Sequence, residues 1–249
     1  MNFTVLTIFP EMVNPFLEHG IVRRAIEQGK ISASSINIRD FAEGKHKVTD
    51  DRPFGGGCGM IMKPEPLAKA IAEAKDKSPA SKTVLLSPQG RTFNRDVARE
   101  LASLKGLLLV CGRYEGVDER ICNSLIDDEI SIGDYVLTGG ELAAMIVIDA
   151  VTRLLPDVLG CESSACEDSF ESGLLKHAQY TRPRIFNEDE VPDVLLSGDH
   201  TKTENWRFES SMMRTLIKRP DLFKTRALEN REIEVLKKWG ENIKEILHA

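Results

Sequence analysis

Eleven residues, Ile132-Gly133-Asp134-Tyr135-Val136-Leu137-Thr138-Gly139-Gly140-Glu141-Leu142, join a polar segment to a long apolar one. Glycine at three of these eleven positions predicts that the backbone turns sharply or approaches a neighbouring segment closely. Thr138, followed three residues later by Glu141, predicts a capping box and therefore a helix N-terminus here. Glycine-rich backbone before a helix can hold a small molecule through main-chain groups. A plain strand-to-helix turn explains the same pattern equally well.

The flanking sequence predicts an α/β domain. Residues 142–155 are apolar nearly all round, which is typical of a helix in a core or a subunit interface, and Pro156 ends it. Upstream, strand-like and helical patterns alternate, and the continuous apolar run 107–111 suits a strand buried on both faces of a parallel sheet. The predicted strands are 3–9, 31–41, 83–86 and 107–111, and the predicted helices are 15–28, 67–74 and 94–104. Together they predict one domain over residues 1–156.

The remaining chain has a different character. Residues 157–176 are polar with little periodicity, which predicts a flexible linker that becomes ordered only when a partner binds. Beyond Arg184 the pattern is helical only and clearest over 204–216 and 231–247. We therefore predict a small α-helical domain over residues 177–249.

Composition limits the possible functions. The 249 residues are 41% hydrophobic and 29% charged, as in ordinary globular proteins. No apolar run approaches the roughly 18–20 residues of a membrane span, and the N-terminus predicts a strand instead of a signal peptide. We expect a cytoplasmic protein with reduced thiols, because no Cys-x-x-Cys pair occurs among Cys58, Cys111, Cys122, Cys161 and Cys166.

Charge is distributed unevenly along the chain. The net charge of −6 argues against a general nucleic-acid coat. Residues 176–249, however, hold 14 Lys/Arg against 13 Asp/Glu, whereas residues 1–175 hold 19 against 26. This asymmetry weakly indicates that the C-terminal part handles a polyanion, and a solvated surface explains it as well.

Three glycine-bearing loops follow predicted strands. They are residues 87–90, 111–116 and the segment around Gly133. Ligands of open α/β sheets bind outside the carboxyl ends of the strands, so these loops could line one pocket. The chain has no P-loop, no H-E-x-x-H and no G-x-S-x-G, and Gly55–Gly59 does not follow a strand as a dinucleotide turn must.

Longer motifs carry a resemblance to a known family. These motifs are Asp51-Arg52-Pro53-Phe54-Gly55-Gly56-Gly57, Leu85-Leu86-Ser87-Pro88-Gln89-Gly90, Val110-Cys111-Gly112-Arg113-Tyr114-Glu115-Gly116-Val117-Asp118-Glu119-Arg120, Ser131-Ile132-Gly133-Asp134-Tyr135-Val136-Leu137, Glu167-Asp168-Ser169-Phe170 and His177-Ala178-Gln179-Tyr180-Thr181-Arg182-Pro183. In these motifs, and in order from Phe9 to Pro220, the chain resembles the TrmD family of tRNA (guanine-N1-)-methyltransferases, which belongs to the SPOUT class. Cys58 stands where the family's glycine-rich run has proline.

The resemblance implies a fold and a cofactor. The α/β domain would thread its C-terminal part into a deep trefoil knot, a rare exception to the usual connection rules. The cofactor would be S-adenosylmethionine, with Mg²⁺ also needed for activity and its ligands unassigned. The implied cofactor-binding residues are Leu86, Ser87, Pro88, Gly112, Tyr114, Glu115, Gly116, Ile132, Gly133, Asp134, Tyr135, Val136, Leu137 and Gly140.

The resemblance also implies a reaction, the methylation of N1 of guanine at tRNA position 37, beside the anticodon. Guanine N1 is protonated at neutral pH, so a base must remove the proton and a cation should stabilise the charge that develops toward O6. By resemblance Asp168 is this base and Arg153 the cation, in a site shared between the subunits of a homodimer. From the residues alone, Asp168 is a solvated carboxylate and Arg153 pairs with Asp149 one helical turn away.

Binding of tRNA would fall mainly to the C-terminal domain. The candidates there and upstream are Arg182, Arg184, Lys202, Arg207, Arg214, Lys218 and Arg219, with Trp206 and Tyr180 as stacking groups and Arg52 and Gly55–Gly57 in the first domain. Two other functions remain open. One is a non-catalytic RNA-binding module, against which Asp168 and Arg153 count, and the other is a phosphoryl-transfer enzyme, which the missing P-loop disfavours. Irregular spacing disfavours a zinc site built from Cys161, Cys166, His177 and His200.

Overall fold

The computed structural model describes residues 1–159 and 168–248. The chain divides into two compact units, Met1–Glu162 and Ser163–Ala249. Among the described helices, none combines the length and the apolarity that crossing a bilayer requires.

A five-stranded parallel sheet forms the centre of the first unit. Its strands are β1 (Asn2–Thr7), β2 (Ser32–Asn37), β5 (Ser81–Thr92), β6 (Gly106–Cys111) and β7 (Asp128–Ser131), and their spatial order is β2-β1-β6-β5-β7. Two short strands, β3 (Asp50–Asp51) and β4 (Ile61–Met62), form a separate antiparallel pair. The parallel sheet confirms the predicted α/β class.

Helices cover both faces of this sheet, and the central strand shows why. All six residues of β6 are buried, and successive side chains of a strand point to opposite faces. The helices of the unit are α1 (Pro10–Leu17), α2 (Gly20–Glu27), α3 (Pro64–Lys77), α4 (Arg95–Ala102), α5 (Glu119–Leu125) and α6 (Glu141–Thr152). Leu107 of β6 therefore packs in one apolar cluster with Val147 of α6, and Leu108 packs in a second cluster with Leu67 of α3.

Two predicted elements of the first unit differ from the structure. The single helix over 15–28 is wrong: α1 ends at Leu17, and α2 begins at Gly20, whose φ of 63° is left-handed. Apolar spacing continues across the break, so periodicity alone does not reveal it. The strand predicted over 31–41 ends at Asn37, whose side chain accepts the Arg39 N–H and caps a short 3₁₀ helix over Ile38–Phe41.

The second unit contains helices α7 (His200–Lys218), α8 (Asp221–Lys224) and α9 (Asn230–His248). The expectation of helices alone beyond Arg184 is wrong, because β8 (Ile185–Phe186) and β9 (Asp189–Glu190) form a small hairpin. Met212 and Thr215 of α7 are fully buried, and the Thr215 hydroxyl accepts the backbone N–H of Leu175.

The segment predicted as a linker, 157–176, is described at both of its ends. Val158 is buried in the core of the first unit, and Leu174 is buried in the second. The middle of the predicted linker, residues 160–167, lies outside the described residues and includes Cys161 and Cys166.

Candidate active site

A cavity of about 330 Å³ lies in the first unit, where β5 leaves the sheet after Leu86 and where β6 and β7 reach their carboxyl ends. Open α/β sheets bind ligands in this position because the strands leave their loops at one common edge. The three glycine-bearing loops named from the sequence all line it. The volume lies at the lower end of the roughly 300–1,000 Å³ that is common for small-molecule sites.

The cavity gathers nearly all of the predicted cofactor residues. Leu86, Ser87, Pro88, Gly112, Tyr114, Glu115, Gly116, Ile132, Gly133, Tyr135, Val136, Leu137 and Gly140 line it, and Asp134 does not. The wall also contains polar residues that are not among the predicted cofactor residues. These are Gln89, Arg113, Glu119, Cys122, Glu129, Ser131 and Thr138. Gln89, Arg113 and Thr138 belong to the glycine-bearing loops. Glu119 and Glu129 instead lie in α5 and β7, outside those loops.

The charges in the cavity wall are mainly negative. Among the described residues that line the cavity, three carry carboxylates, Glu115, Glu119 and Glu129, and one carries a cation, Arg113. Arg113 is itself paired, since its Nε lies 3.0 Å from Glu141 Oε2. An acidic wall attracts a cationic ligand and repels a polyphosphate. The cavity therefore suits a positively charged small molecule better than a nucleotide.

Glycines allow α6 to begin directly against β6. A Cβ on Gly140 would lie 2.8 Å from Cys111 Cα, and the Gly140 N–H donates to Gly112 O at 2.9 Å. Gly133 has a φ of 149°, which favours glycine. The predicted sharp and close-approaching backbone is thus present. The predicted capping box is wrong, because the helix begins at Glu141 with Gly140 as its N-cap and no side-chain cap bond.

Glu141 instead anchors a buried polar network beside the cavity. Its side chain is 1% exposed, and its Oε1 accepts the Thr7 hydroxyl at 2.7 Å. The Arg113 guanidinium donates to the same carboxylate and lies 4.6 Å from the centre of the Phe9 ring. The network joins the ends of β1 and β6 to the start of α6. It therefore holds in place the backbone from which the 111–116 loop and the loop before α6 extend to the cavity.

Two cysteines are poor nucleophiles: Cys122, which lines the cavity, and Cys111, which precedes Gly112 of the cavity wall. Burial, and next the Glu141 charge, raise the pKa of Cys111 well above its usual range. Burial and the neighbouring Glu129 and Glu119 also raise the pKa of Cys122. Because the thiolate is the reactive form, neither thiol suits a covalent intermediate at neutral pH.

The predicted catalytic pair is divided between the units. Arg153 follows the last residue of α6 in the first unit, is exposed, and donates its backbone N–H to Asp149 O at 3.2 Å. Asp168 belongs to the second unit, where its Oδ1 accepts Lys176 Nζ at 3.0 Å. Sequence reasoning did not identify Lys176 as a partner of the proposed base.

The second unit presents an aromatic group at its surface. Tyr180 is half exposed, with its ring 6.2 Å from that of Trp206, and the His177 ring is 6.3 Å from Trp206 on another side. Several predicted tRNA-binding cations have carboxylate partners, namely Arg184 with Asp193, Lys202 with Asp199, and Arg219 with Asp221. Arg182 and Lys218 are exposed, while the Nε atoms of Arg207 and Arg214 are buried without a hydrogen-bond partner.

The other predicted sites are placed as follows. Arg52 and Gly55–Gly57 belong to an exposed loop whose glycines have positive φ, and Cys58 is exposed in the same loop. In the part of the chain that the structure describes, no three His, Cys, Asp or Glu side chains converge as metal ligands. Cys161 and Cys166, which belong to the disfavoured zinc site, lie outside that part.

The fold and the cavity define a class of protein, a parallel α/β domain with a cavity of small-molecule size between glycine-bearing loops. The family model described as tRNA (Guanine-1)-methyltransferase TrmD matches residues 1–225, and the chain belongs to this family.

Similar curated proteins agree with this membership. A protein of Desulfatibacillum aliphaticivorans is 55% identical over 249 residues, which cover 100% of this chain and 95% of that protein. One of Geobacter sp. (strain M21) is 54% identical over 222 residues, 89% of each chain, and one of Thermosipho africanus is 53% identical over 223 residues, 90% of each chain. All three are named tRNA (guanine-N(1)-)-methyltransferase.

Proposed function

We propose that this protein transfers the methyl group of S-adenosylmethionine to N1 of guanine at tRNA position 37, next to the anticodon. The observation that carries the proposal is the single cavity in which three loops of the family's motifs meet under an acidic wall. S-adenosylmethionine fits this wall because its sulfonium is cationic and it has no phosphate. Bound there, it supplies an electrophilic methyl group.

The cavity residues would hold this cofactor in two ways. Apolar side chains such as Leu86, Ile132 and Leu137 would pack on the adenine faces, while backbone groups near Gly133 and Gly140 would read its edge. Glu115, Glu119 and Glu129 would stabilise the positive charge. Gly116 offers room for a ligand, since a Cβ built on it meets nothing within 4 Å.

The proton on guanine N1 requires a base, and we assign this role to Asp168. The Lys176 ammonium lies 3.0 Å from one oxygen of this carboxylate, and a carboxylate is a group that can accept a proton. We assign to Arg153 the stabilisation of the charge that develops at guanine O6. Removing the N1 proton would free the lone pair of N1, and S-adenosylmethionine held in the cavity would supply the methyl group that N1 accepts.

The rest of the proposal concerns architecture. We propose a knotted domain over residues 1–156, a connecting segment over 157–176 that orders on tRNA, and a tRNA-binding domain over 177–249. We also propose a homodimer in which Asp168 of one subunit completes the site of the other. Leu142 and Ile146, which lie one turn apart on α6 and are 48% and 45% exposed, are apolar surface that a second copy would cover.

Magnesium, unlike S-adenosylmethionine, has no site that we can name in this protein. The resemblance implies that Mg²⁺ is needed for activity, but no ligand set for it occurs among the described residues. We therefore assign no step of the reaction to a protein-held magnesium ion.

The test is transfer of a labelled methyl group from S-adenosylmethionine to an unmodified tRNA transcript with guanine at position 37. A matched transcript with adenine at that position is the control, and magnesium is present in both reactions. We expect label in the first transcript only. Label in both would move the target elsewhere, and tRNA binding without label would favour a non-catalytic RNA-binding module.

A further inference from the structure

Strand β5 leaves the sheet in the middle of its length and then returns to it. Leu86 and Arg91 both pair with Ile130 of β7, so residues 87–90 form a four-residue loop out of the strand. Ser87, Pro88 and Gln89 of this loop line the cavity. Whatever holds the two ends of the loop together therefore also sets the shape of one cavity wall.

The returning end of the loop is held by Arg91. Its guanidinium donates to both carboxylate oxygens of Asp128 at 3.2 and 2.7 Å, and to both of Glu100 at 2.7 and 2.8 Å. Asp128 begins β7, and Glu100 lies in α4. Two fork-shaped pairs on one planar guanidinium fix both its position and its orientation.

The same contact links two walls of the cavity. Strand β7 runs from Asp128 to Ser131 and continues into the loop around Gly133. After the excursion, Thr92 pairs with Ser131, and the Phe93 N–H donates to Ser131 O at 2.7 Å. Gly90 lies so close to the backbone of Glu129 that a side chain there would overlap it. Arg91 thus holds the 87–90 loop against β7, the strand that leads into the cavity loop around Gly133.

The ion pairs of Arg91 are partly shielded from water. The Asp128 side chain is 13% exposed. Burial raises the pKa of Asp128, but the hydrogen bonds from Arg91 and Lys82 outweigh it, so the pKa stays below its usual value. The hydrogen bond from Arg91 likewise lowers the pKa of Glu100. Both carboxylates are therefore ionised at neutral pH, and the ion pairs that Arg91 makes with Asp128 and Glu100 are intact under assay conditions.

We propose that Arg91 is a positioning residue for the cofactor, one that preorganises Ser87, Pro88 and Gln89 as a wall of the cavity. Arg91 does not itself line the cavity. The inference rests on the proposed use of S-adenosylmethionine. Its physical basis is that a loop already held in its bound conformation does not have to be ordered when the ligand arrives.

Lys82 provides a matched control. Its Nζ binds the same two carboxylates, Asp128 at 2.8 Å and Glu100 at 3.3 Å, but it lies in β5 before the loop begins. Lys82→Met and Arg91→Met each remove one cation from the same cluster. Only Arg91→Met releases the returning end of the loop.

The experiment measures the Kd for S-adenosylmethionine by titration calorimetry, together with the thermal unfolding midpoint of each variant. We expect Arg91→Met to raise the Kd about tenfold, as the loss of order in one or two side chains implies, with Arg91→Lys partly restoring it. We expect Lys82→Met to lower the unfolding midpoint comparably and to change the Kd less than about twofold. In turnover, KM for the cofactor should rise in Arg91→Met while KM for tRNA stays unchanged.

Three results would overturn the inference or its premise, and they can be told apart. An unchanged Kd for S-adenosylmethionine in folded Arg91→Met would show that the ion pairs of Arg91 do not shape the cavity. An equal rise in Lys82→Met would show general destabilisation in place of positioning. Failure of the unmodified protein to bind S-adenosylmethionine would instead reject the proposed function on which the inference rests.

Discussion

Glu141 is the residue on which the geometry beside the cavity depends most. A carboxylate that is 1% exposed is costly unless its charge is paired and its oxygens accept hydrogen bonds. Arg113 and Thr7 meet both needs, and they come from the ends of different strands. Loss of this one side chain would leave the Arg113 guanidinium, whose side chain is 15% exposed, against Phe9 without its carboxylate.

We expect Glu141→Gln to destabilise the protein by about 3 kcal/mol, because breaking a buried ion pair leaves an uncompensated charge. The measurement is the urea dependence of unfolding, followed by circular dichroism. Glu27→Gln is the control, since Glu27 pairs with Arg23 at the surface and its loss should not move the midpoint measurably. Equal midpoints for the two variants would contradict this role for Glu141.

The misread capping box shows what local spacing cannot supply at the scale of residues. Thr138 and Glu141 have the right separation, but the Glu141 carboxylate bonds to residues 28 and 134 positions away. Sequence spacing records neighbours along the chain, whereas a buried charge is satisfied by neighbours in space. The loops that surround the cavity could be predicted because their glycines follow apolar strands. The acidic side chains from α5 and β7 could not.

At the scale of elements, the close approach of α6 to β6 depends on Gly140. We expect Gly140→Ala to push the helix start away from Cys111, cost about 1–3 kcal/mol of stability and weaken cofactor binding. Gly240→Ala is the control: Gly240 lies within α9 and has open space around it, so alanine there should stabilise by about 0.5–1 kcal/mol. The measurements are unfolding midpoints and the Kd for S-adenosylmethionine. A Gly140→Ala variant with a higher unfolding midpoint than the unmodified protein would contradict close packing of Gly140 against Cys111.

Elements were predictable where one local signal dominates. The β6 run 107–111 is apolar throughout and is a fully buried strand, as expected. Signals that depend on a partner strand were not predictable. Residues 87–90 look like the end of β5, and only the pairing of Arg91 with Ile130 shows that the strand resumes. The break between α1 and α2 was missed for a related reason, because apolar spacing continues through Gly20.

At the scale of the whole molecule, two features support the proposed dimer. Helix α6 buries Ala144, Val147 and Ile148 in the core and leaves Leu142 and Ile146 exposed. The proposed base and the proposed cation also belong to different compact units. A symmetric dimer presents the same patch on both copies, so one apolar helix face can both hold the subunits together and bring two half-sites into use.

This arrangement predicts complementation between two inactive variants. Asp168→Asn and Arg153→Met should each lose most single-turnover methylation while binding S-adenosylmethionine normally, since neither side chain lines the cofactor cavity. If each site takes Asp168 from one subunit and Arg153 from the other, mixed dimers contain one intact site. Denaturing and refolding the two variants together in equal amounts should then restore about a quarter of the unmodified activity, because half of the dimers are mixed and half of their sites are intact. The control is each variant refolded alone, which should stay inactive. Sites built within one subunit would give no recovery in the mixture, and this outcome would reject the shared site while leaving the methyl transfer itself untouched.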